Sequence, residues 1–394
     1  MQPEARQLAA TKRYDAIVVG AGPAGAVAAL RLARGGAHVA LLDREDFPRD
    51  KPCGDLLGRA AVRECLDLGV DPVHHGAFRV RGVYLRAPGG SEVRGIAYRG
   101  RLAPFEACVL PRRVFDSTLV TMAVDAGAQF CKAHVTGLLR DSSGTVQGVQ
   151  TRDAPFVAPL VIGADGWGSA VARSLLGVDG ARPAQTGLAI RCYVDGVEGL
   201  NGRMHFFHDA DLLPGCCWIF PLGKSRANVG LGTLSSDSTS PAPRLADRLD
   251  RLIHDPVSPA APLLHCVQQV ENPVTWPLAL GWRSARLAFD GAMIAGDAGS
   301  LISPLSGSGI AAAMRSGRLA GDVGLRSLAC GNFSRSMLVE YERSVRGSFR
   351  WRYSLERSAQ DLIHSPRRLD NLARWGMRVP YSQRVAASLL FNLG

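Results

Sequence analysis

Lysine is nearly missing from this 394-residue chain. Only Lys12, Lys51, Lys132 and Lys224 occur, so almost all of the 46 basic residues are arginine, set against 35 acids for a net charge of +11. No uninterrupted apolar run reaches bilayer-spanning length. Met1 to Arg13 lacks the apolar core of a signal peptide. The nine cysteines are odd in number and form no C-x-x-C pair, and adjacent Cys216-Cys217 is poor spacing for a structural zinc. Free thiols, no metal and a cytoplasmic location are the expectation. No zinc finger or RNA-binding aromatic motif accompanies the scattered basic charge, which argues against nucleic acid as a partner. No repeat of fixed period is present, and glycine has no third-residue period, so solenoid and collagen folds are excluded.

What is present is apolar material. Hydrophobic residues make up 46% of the chain and charged ones 21%, which excludes a disordered chain. The length suits two compact units or one large α/β unit.

The stretch YDAIVVGAGPAGAVAALRLARGGAHVALLDRE carries the most information. Tyr14 to Val19 reads as a buried parallel strand. Gly20, Gly22 and Gly25 follow in G-x-G-x-x-G spacing, with Pro23 and Ala24 opening an alanine-rich helix. A second strand, His38 to Leu42, ends at Asp43, next to Arg44. Gly20 permits the tight turn, Gly22 lets the backbone approach a pyrophosphate, and Gly25 lets the helix pack on the sheet. The phosphates then meet the positive helix end. Asp43 is placed to bond the hydroxyls of an adenosine ribose and disfavours a 2′-phosphate. These features predict dinucleotide binding without choosing between FAD and NAD.

Further along, Pro48 to Gly54 reads as a loop and Phe78 to Tyr98 as a hairpin around Pro88-Gly89-Gly90. Arg113 to Ala126 reads as a helix, and Gln129 to Arg152 as a strand pair or meander turning at Asp141 to Gly144. Leu160 to Ala164 is a short buried strand. Leu188 to Gly232 holds several strand-like runs of antiparallel character, and Ala242 to His254 is helical. Gly291 to Gly296 returns to a buried strand, followed by a long helix of small residues from Gly309 to Leu325. The last sixty residues, 335–394, hold eleven arginines against five acids and read as mostly helical.

These residues resemble the FAD-dependent oxidoreductase superfamily of the para-hydroxybenzoate hydroxylase type, and within it the geranylgeranyl reductase family. The likeness runs from Tyr14 to Leu325. It rests on the glycine fingerprint with Asp43 and on K-P-C-G-D at Lys51 to Asp55. It also rests on Gly163-Ala164-Asp165-Gly166 with Ser169, and on Gly296-Asp297-Ala298-Gly299 followed by Pro304. Pro111 to Asp116 is similar to the segment whose arginine lies near FAD, and Arg112 is the matching residue. Cys216 to Pro221 resembles the reductases' aromatic-x-aromatic-x-Phe-Pro substrate motif, with Cys216 where an aromatic residue is usual.

The resemblance implies an α/β fold. A Rossmann-like FAD-binding domain (14–75, 105–185 and 285–330) would carry an inserted β-rich α+β substrate domain (76–104 and 186–284) and a helical C-terminal region (331–394). FAD is the implied cofactor, held by Gly20, Gly22, Pro23, Ala24, Gly25, Asp43, Arg44, Arg112, Asp165, Gly296, Asp297, Gly307, Gly309 and Ile310. Asp297 could bond a ribityl hydroxyl, and the helix after Gly309 can aim its N–H groups at the flavin. Asp165 reads as a cofactor-loop residue rather than a catalytic acid. Cys216, Trp218, Phe220 and Pro221 would wall a hydrophobic small-molecule substrate, with Cys53 lining the site as the candidate catalytic residue. The expected reaction is reduction of a carbon–carbon double bond in a hydrophobic or isoprenoid-like substrate. A monooxygenase, hydroxylating or epoxidising an aromatic or alkene natural product, stays open beside it. Flavin halogenase motifs are lacking. With no second dinucleotide fingerprint, the electron donor would be NAD(P)H bound transiently or a reduced electron-carrier protein. The arginine-rich end is expected to lie outside the flavin site, by helical packing, subunit pairing or peripheral contact with a membrane. Oligomeric state is not legible.

Overall fold

The computed structural model describes residues 12–96, 107–235, 242–281 and 286–378. Residues 97–98 at the end of the expected hairpin, 99–106 after it, and Arg384 in the arginine-rich end lie outside them. A six-stranded sheet runs in the order Ala288–Phe289, Ala292–Ile294, Leu160–Gly163, Ala16–Val19, Val39–Asp43, Gln129–Lys132. Its pairs are parallel apart from the Ala288–Phe289 edge. The central strands are buried at every position except Asp43, as continuous apolar runs covered on both faces require. Val19 is level with both Gly163 and Leu42, and Gly163 with Ile294. This register brings the loops after four strands to one sheet edge, where α/β folds bind ligands.

The Pro23–Arg34 helix packs against the Ile310–Cys330 helix. Small residues make the crossing close: a Cβ on Gly317 would lie 2.0 Å from the Ala24 carbonyl oxygen. The second large sheet has the order Gln268–Gln269, Gln185–Asp195, Arg226–Ser235, Cys216–Pro221, Arg203–Phe207, Gly82–Arg86, Glu92–Ile96, with Val274–Leu280 also on Gln185–Asp195. All its pairs are antiparallel except Arg203–Phe207 on Gly82–Arg86. Period two divides its faces. Cys217, Ile219, Val229, Leu231, Cys192 and Val194 form a core with the Ala242–His254 helix. Trp218, Phe220, Asn228, Gly230, Arg191 and Tyr193 occupy the opposite face.

One sequence expectation is corrected. Gln129–Lys132 is not part of the meander: it joins the parallel sheet beside Val39–Asp43, and only Val135–Arg140 and Val146–Thr151 form the hairpin. The Arg335–Ile363 helix packs mainly on the nucleotide-binding core, and only its C-terminal end reaches the β-rich sheet, where Gln185 donates to Gln360 at 3.1 Å. Its buried stripe of Leu338, Tyr341, Val345, Phe349 and Tyr353 has helical spacing and belongs to the core that contains the parallel strands.

Candidate active site

Two loops after parallel strands build the cofactor end. Gly20 has φ of 93°, and a Cβ on Gly25 would lie 1.7 Å from the Gly20 oxygen, so both positions exclude side chains on internal grounds. Gly22 differs: its φ is −69°, and the only atom near an added Cβ is Arg49 Nη2 at 3.7 Å. The chain leaves that space between the glycine and a guanidinium. The Pro23–Arg34 helix starts there with Pro23 in its first turn, no side-chain cap and no acid in that turn. Its exposed N–H groups and Arg49 suit a pyrophosphate. Asp43 accepts from the Ala21 amide at 2.7 Å and the Glu45 amide at 3.0 Å, which pins the carboxylate at the loop.

The second loop follows Ala292–Ile294. Asp297 pairs with Lys51 at 3.1 Å, and a Cβ on Gly309 would lie 3.3 Å from Asp297 Oδ1. The Ile310–Cys330 helix therefore begins beside that carboxylate, again uncapped and without a first-turn acid. Gly296 and Gly307 have φ of 63° and 66°. A Cβ on Gly296 would come within 2.9 Å of Ala24 Cβ, which ties the two loops together. Uncapped helix starts, glycine cradles and two carboxylates at their edges form the donor and acceptor set that FAD needs, so the residues fit that cofactor.

Of the other expected residues, Asp165 abuts the first loop, a Cβ on Gly20 lying 2.7 Å from its Cα, whereas Arg44 stands apart. Arg44 is exposed and faces Glu45. Asp165 accepts from Ser169 Oγ and from the amides of Ala170 and Val171, capping the helix that follows. Burial raises its pKa, and those donors oppose the rise. Arg112 is buried and bidentate to Asp116, at 2.6 and 2.7 Å, and Arg49 shares the same carboxylate at 3.1 Å.

The 49–55 loop connects this end to the β-rich sheet. A Cβ on Gly54 would lie 2.9 Å from the Phe220 ring and 3.6 Å from Trp218 Nε1, so glycine lets the cysteine loop seat directly on those aromatics. Their rings are 6.0 Å apart, and Phe206 meets Phe220 edge-on at 5.3 Å. Trp218 lies across Gly230, where a Cβ would be 2.4 Å from the indole. Cys216 shares the strand face with Trp218 and Phe220, and buried Pro221 ends the strand. The Cys53 thiol is held above its usual pKa by burial, against the pull of the Arg112 guanidinium beside it. Burial thus favours the thiol over the thiolate. Cys216 is pushed up to about 12 by burial.

Several residues at this junction carried no assignment from sequence. Asp55 is fully buried and accepts from Tyr193 Oη at 2.6 Å and Asn228 Nδ2 at 2.9 Å. Buried Arg191 stacks 4.3 Å over Tyr193 and pairs with both Asp50 and Glu271. Lys51 lies 5.8 Å over the Trp276 ring. Lys51 and Asp55 stood within the K-P-C-G-D motif; nothing local marked Asn228, Tyr193 or Trp276. Among the described residues no group of three or more His, Cys, Asp or Glu could hold a metal, and all nine cysteines are free.

Comparison with known proteins agrees with this geometry. The FAD binding domain family model matches residues 13–346. Digeranylgeranylglycerophospholipid reductase 2 of Methanopyrus kandleri is 33% identical over 341 residues, covering 84% of this chain and 81% of that protein. Menaquinone reductase of Mycolicibacterium smegmatis is 31% identical over 398 residues, covering 97% and 92%. A solved geranylgeranyl bacteriochlorophyll reductase-like structure from Thermoplasma acidophilum has the same fold, with a TM-score of 0.84, 24% identity and 96% of both chains covered.

Proposed function

The chain belongs to the FAD-binding oxidoreductases and, within them, to the geranylgeranyl reductase family, and from that premise we propose that it hydrogenates a carbon–carbon double bond in an isoprenoid chain. The observation that carries the reading is the Cys53-Gly54 loop seated on Trp218 and Phe220 while the neighbouring Lys51 pairs with Asp297. One short loop thus touches the cofactor end and the aromatic wall together. Curated relatives named for digeranylgeranyl lipid and for menaquinone support a polyisoprenoid substrate.

FAD, when bound, supplies the hydride chemistry. Gly22, the first turn after Pro23 and Arg49 would hold its pyrophosphate, Asp43 its adenosine ribose, and Asp297 its ribityl chain. The amides that open the Ile310–Cys330 helix would face its ring system. Trp218 and Phe220 exclude water and align an apolar chain. Burial favours the protonated form of Cys53 Sγ, which stands next to Gly54 on that wall as the candidate proton donor. Electrons would come from NAD(P)H bound transiently or from a reduced carrier protein. The first, discontinuous unit (14–75, 105–185, 285–330) would hold the cofactor, and the inserted unit (76–104, 186–284) the substrate.

We also propose peripheral contact with an anionic membrane through the C-terminal helices, where Trp351, Leu355, Leu372 and Trp375 are exposed beside exposed Arg367, Arg368 and Arg374. Among the described residues no helix is long and apolar enough to cross a membrane.

The test is anaerobic. Holoprotein reduced with dithionite is mixed with menaquinone or with a digeranylgeranylglycerophospholipid, and products are weighed by mass spectrometry. A gain of two hydrogens per double bond, located in the isoprenoid chain by fragmentation and absent without protein, is expected. Incorporation of labelled oxygen in air, with no hydrogenated product, overturns the reading in favour of a monooxygenase.

A further inference from the structure

Asp55 has an unusual position for an acid. It is completely buried, lies two residues after Cys53 and has φ of 61°, a left-handed conformation uncommon outside glycine. Its Oδ2 accepts from Tyr193 Oη at 2.6 Å and Asn228 Nδ2 at 2.9 Å, and its Oδ1 faces the Arg112 amide at 3.3 Å. Asn228 extends the chain in two directions. Its Nδ2 also donates to the Cys53 carbonyl at 2.7 Å, and its Oδ1 accepts from Trp218 Nε1 at 2.9 Å. Asn228 is itself fully buried. The amide can satisfy all three partners in only one orientation, and the acceptor at residue 55 sets that orientation.

We propose that Asp55 is the positioning residue of the substrate wall: through Asn228 it locks the Trp218 indole and the Cys53 backbone into one hydrogen-bonded unit. The wall and the cysteine loop come from segments more than 160 residues apart, so aromatic contact alone would leave their relative setting loose. The lock fixes it. Burial disfavours the Asp55 carboxylate, and its backbone is strained; a site that keeps both costs is one where geometry is held for use. The charged and titratable groups facing it are Arg112 and Cys53 from the cofactor side, and Tyr193 with Arg191 above it from the sheet. The role of the wall rests on the proposed reductase reading; the lock itself does not.

Removing the acceptor and keeping it test the lock. In Asp55→Asn the amide oxygen can take the place of Oδ2 and still receive Tyr193 and Asn228, so the anchor should hold. In Asp55→Ala no acceptor remains, Asn228 Nδ2 keeps only the Cys53 carbonyl, and the indole loses its anchor. Near-ultraviolet circular dichroism, as the difference from Trp218→Phe, isolates the indole. The Trp218 band should weaken strongly in Asp55→Ala and persist in Asp55→Asn, with FAD content unchanged in both. With menaquinone as the probe, kcat should fall about tenfold in Asp55→Ala and severalfold less in Asp55→Asn, while KM moves less. An unaltered Trp218 band in Asp55→Ala overturns the proposal, whatever the activity. If Asp55→Ala does not fold, Asp55→Gly, which suits the left-handed backbone there, replaces it with the same two outcomes; failure of both to fold overturns the lock, since the acid then serves folding instead. Loss of menaquinone turnover in the wild type would count against the reductase reading alone, because the spectroscopic arm uses no substrate.

Discussion

A single glycine separates two kinds of constraint in the cofactor loop. Gly25 serves the protein's own packing, since any Cβ collides with the Gly20 oxygen. Gly22 has ordinary backbone angles and free space before Arg49, so its smallness serves the ligand. Gly22→Val should therefore leave the thermal stability of the apoprotein within about 0.5 kcal/mol, as for substitutions without internal clashes. FAD affinity should fall at least tenfold, about 1.4 kcal/mol. Flavin titration alongside calorimetry checks both, and full FAD affinity would refute the placement. Asp55 gives a second residue-scale prediction. Burial raises its pKa to about 6 from an ordinary 3.8. An acid raised in the fold contributes stability fully below about pH 4 and loses it as pH rises through about 6. The span is at most about 3 kcal/mol. Buried His205 and His208, both lowered to about 4, act in the opposite sense, losing stability as pH falls below about 6.5. The wild-type curve mixes these groups, but the difference between wild type and Asp55→Asn isolates one. Denaturant unfolding should show the wild type losing ground to the variant between pH 4 and pH 7. A difference that is flat across that window would be inconsistent with a raised Asp55.

At the scale of elements, the sequence predicts Arg335–Ile363 as helical but not its hold on the cofactor end. Tyr341 Oη donates to the Ile294 carbonyl and Tyr353 Oη to the Leu301 carbonyl, at 2.7 and 2.6 Å. Glu356 accepts from Ser303 Oγ at 2.6 Å, and Gln360 donates to the Pro304 carbonyl at 2.8 Å. The helix thus holds the segment that leads from Asp297 to Gly307 and Gly309. Glu356→Ala would leave Ser303 and Arg352 without this partner, at a cost of about 2 kcal/mol. Its distinctive effect should be faster FAD release, measured by flavin fluorescence after dilution; a lower melting temperature with unchanged release would mean the loop does not depend on this helix. The elements that were legible are those with a local pattern: the apolar strands, the glycine turns and the uncapped helix starts. Gln129–Lys132 was misplaced because four half-exposed residues carry no period that separates a hairpin from a sheet edge. The Asp55–Asn228–Tyr193 contacts were invisible for another reason. They span more than 130 residues, and pairings at that distance leave no mark in one chain's pattern.

For the whole molecule, the question is how an isoprenoid chain buried in a bilayer could reach a site made of buried strands. Both exposed tryptophans among the described residues, Trp351 at 76% and Trp375 at 61%, lie on the last two helices. Leu355 follows Trp351 by one helical turn, and Leu372 precedes Trp375 by three residues, so each helix presents an apolar stripe. Of the five acids on these helices Glu342, Glu356 and Asp370 are buried and Glu340 and Asp361 exposed, whereas Arg367, Arg368 and Arg374 are all exposed. The surface is therefore more basic than its composition, and tryptophan beside arginine suits a headgroup layer. Each arginine near an anionic surface contributes about 1 kcal/mol, so reversing two should weaken binding by roughly thirtyfold or more. Holoprotein should co-sediment with phosphatidylglycerol vesicles at low salt, less with phosphatidylcholine, and release as salt rises. Arg367→Glu with Arg368→Glu should abolish the anionic preference, and Trp351→Ser with Trp375→Ser should weaken binding to both vesicle types. Neither pair touches the flavin loops, so turnover of detergent-dispersed menaquinone should persist in both variants. Equal sedimentation of wild type and charge-reversed protein would remove the membrane from this account and leave the helices their structural role alone.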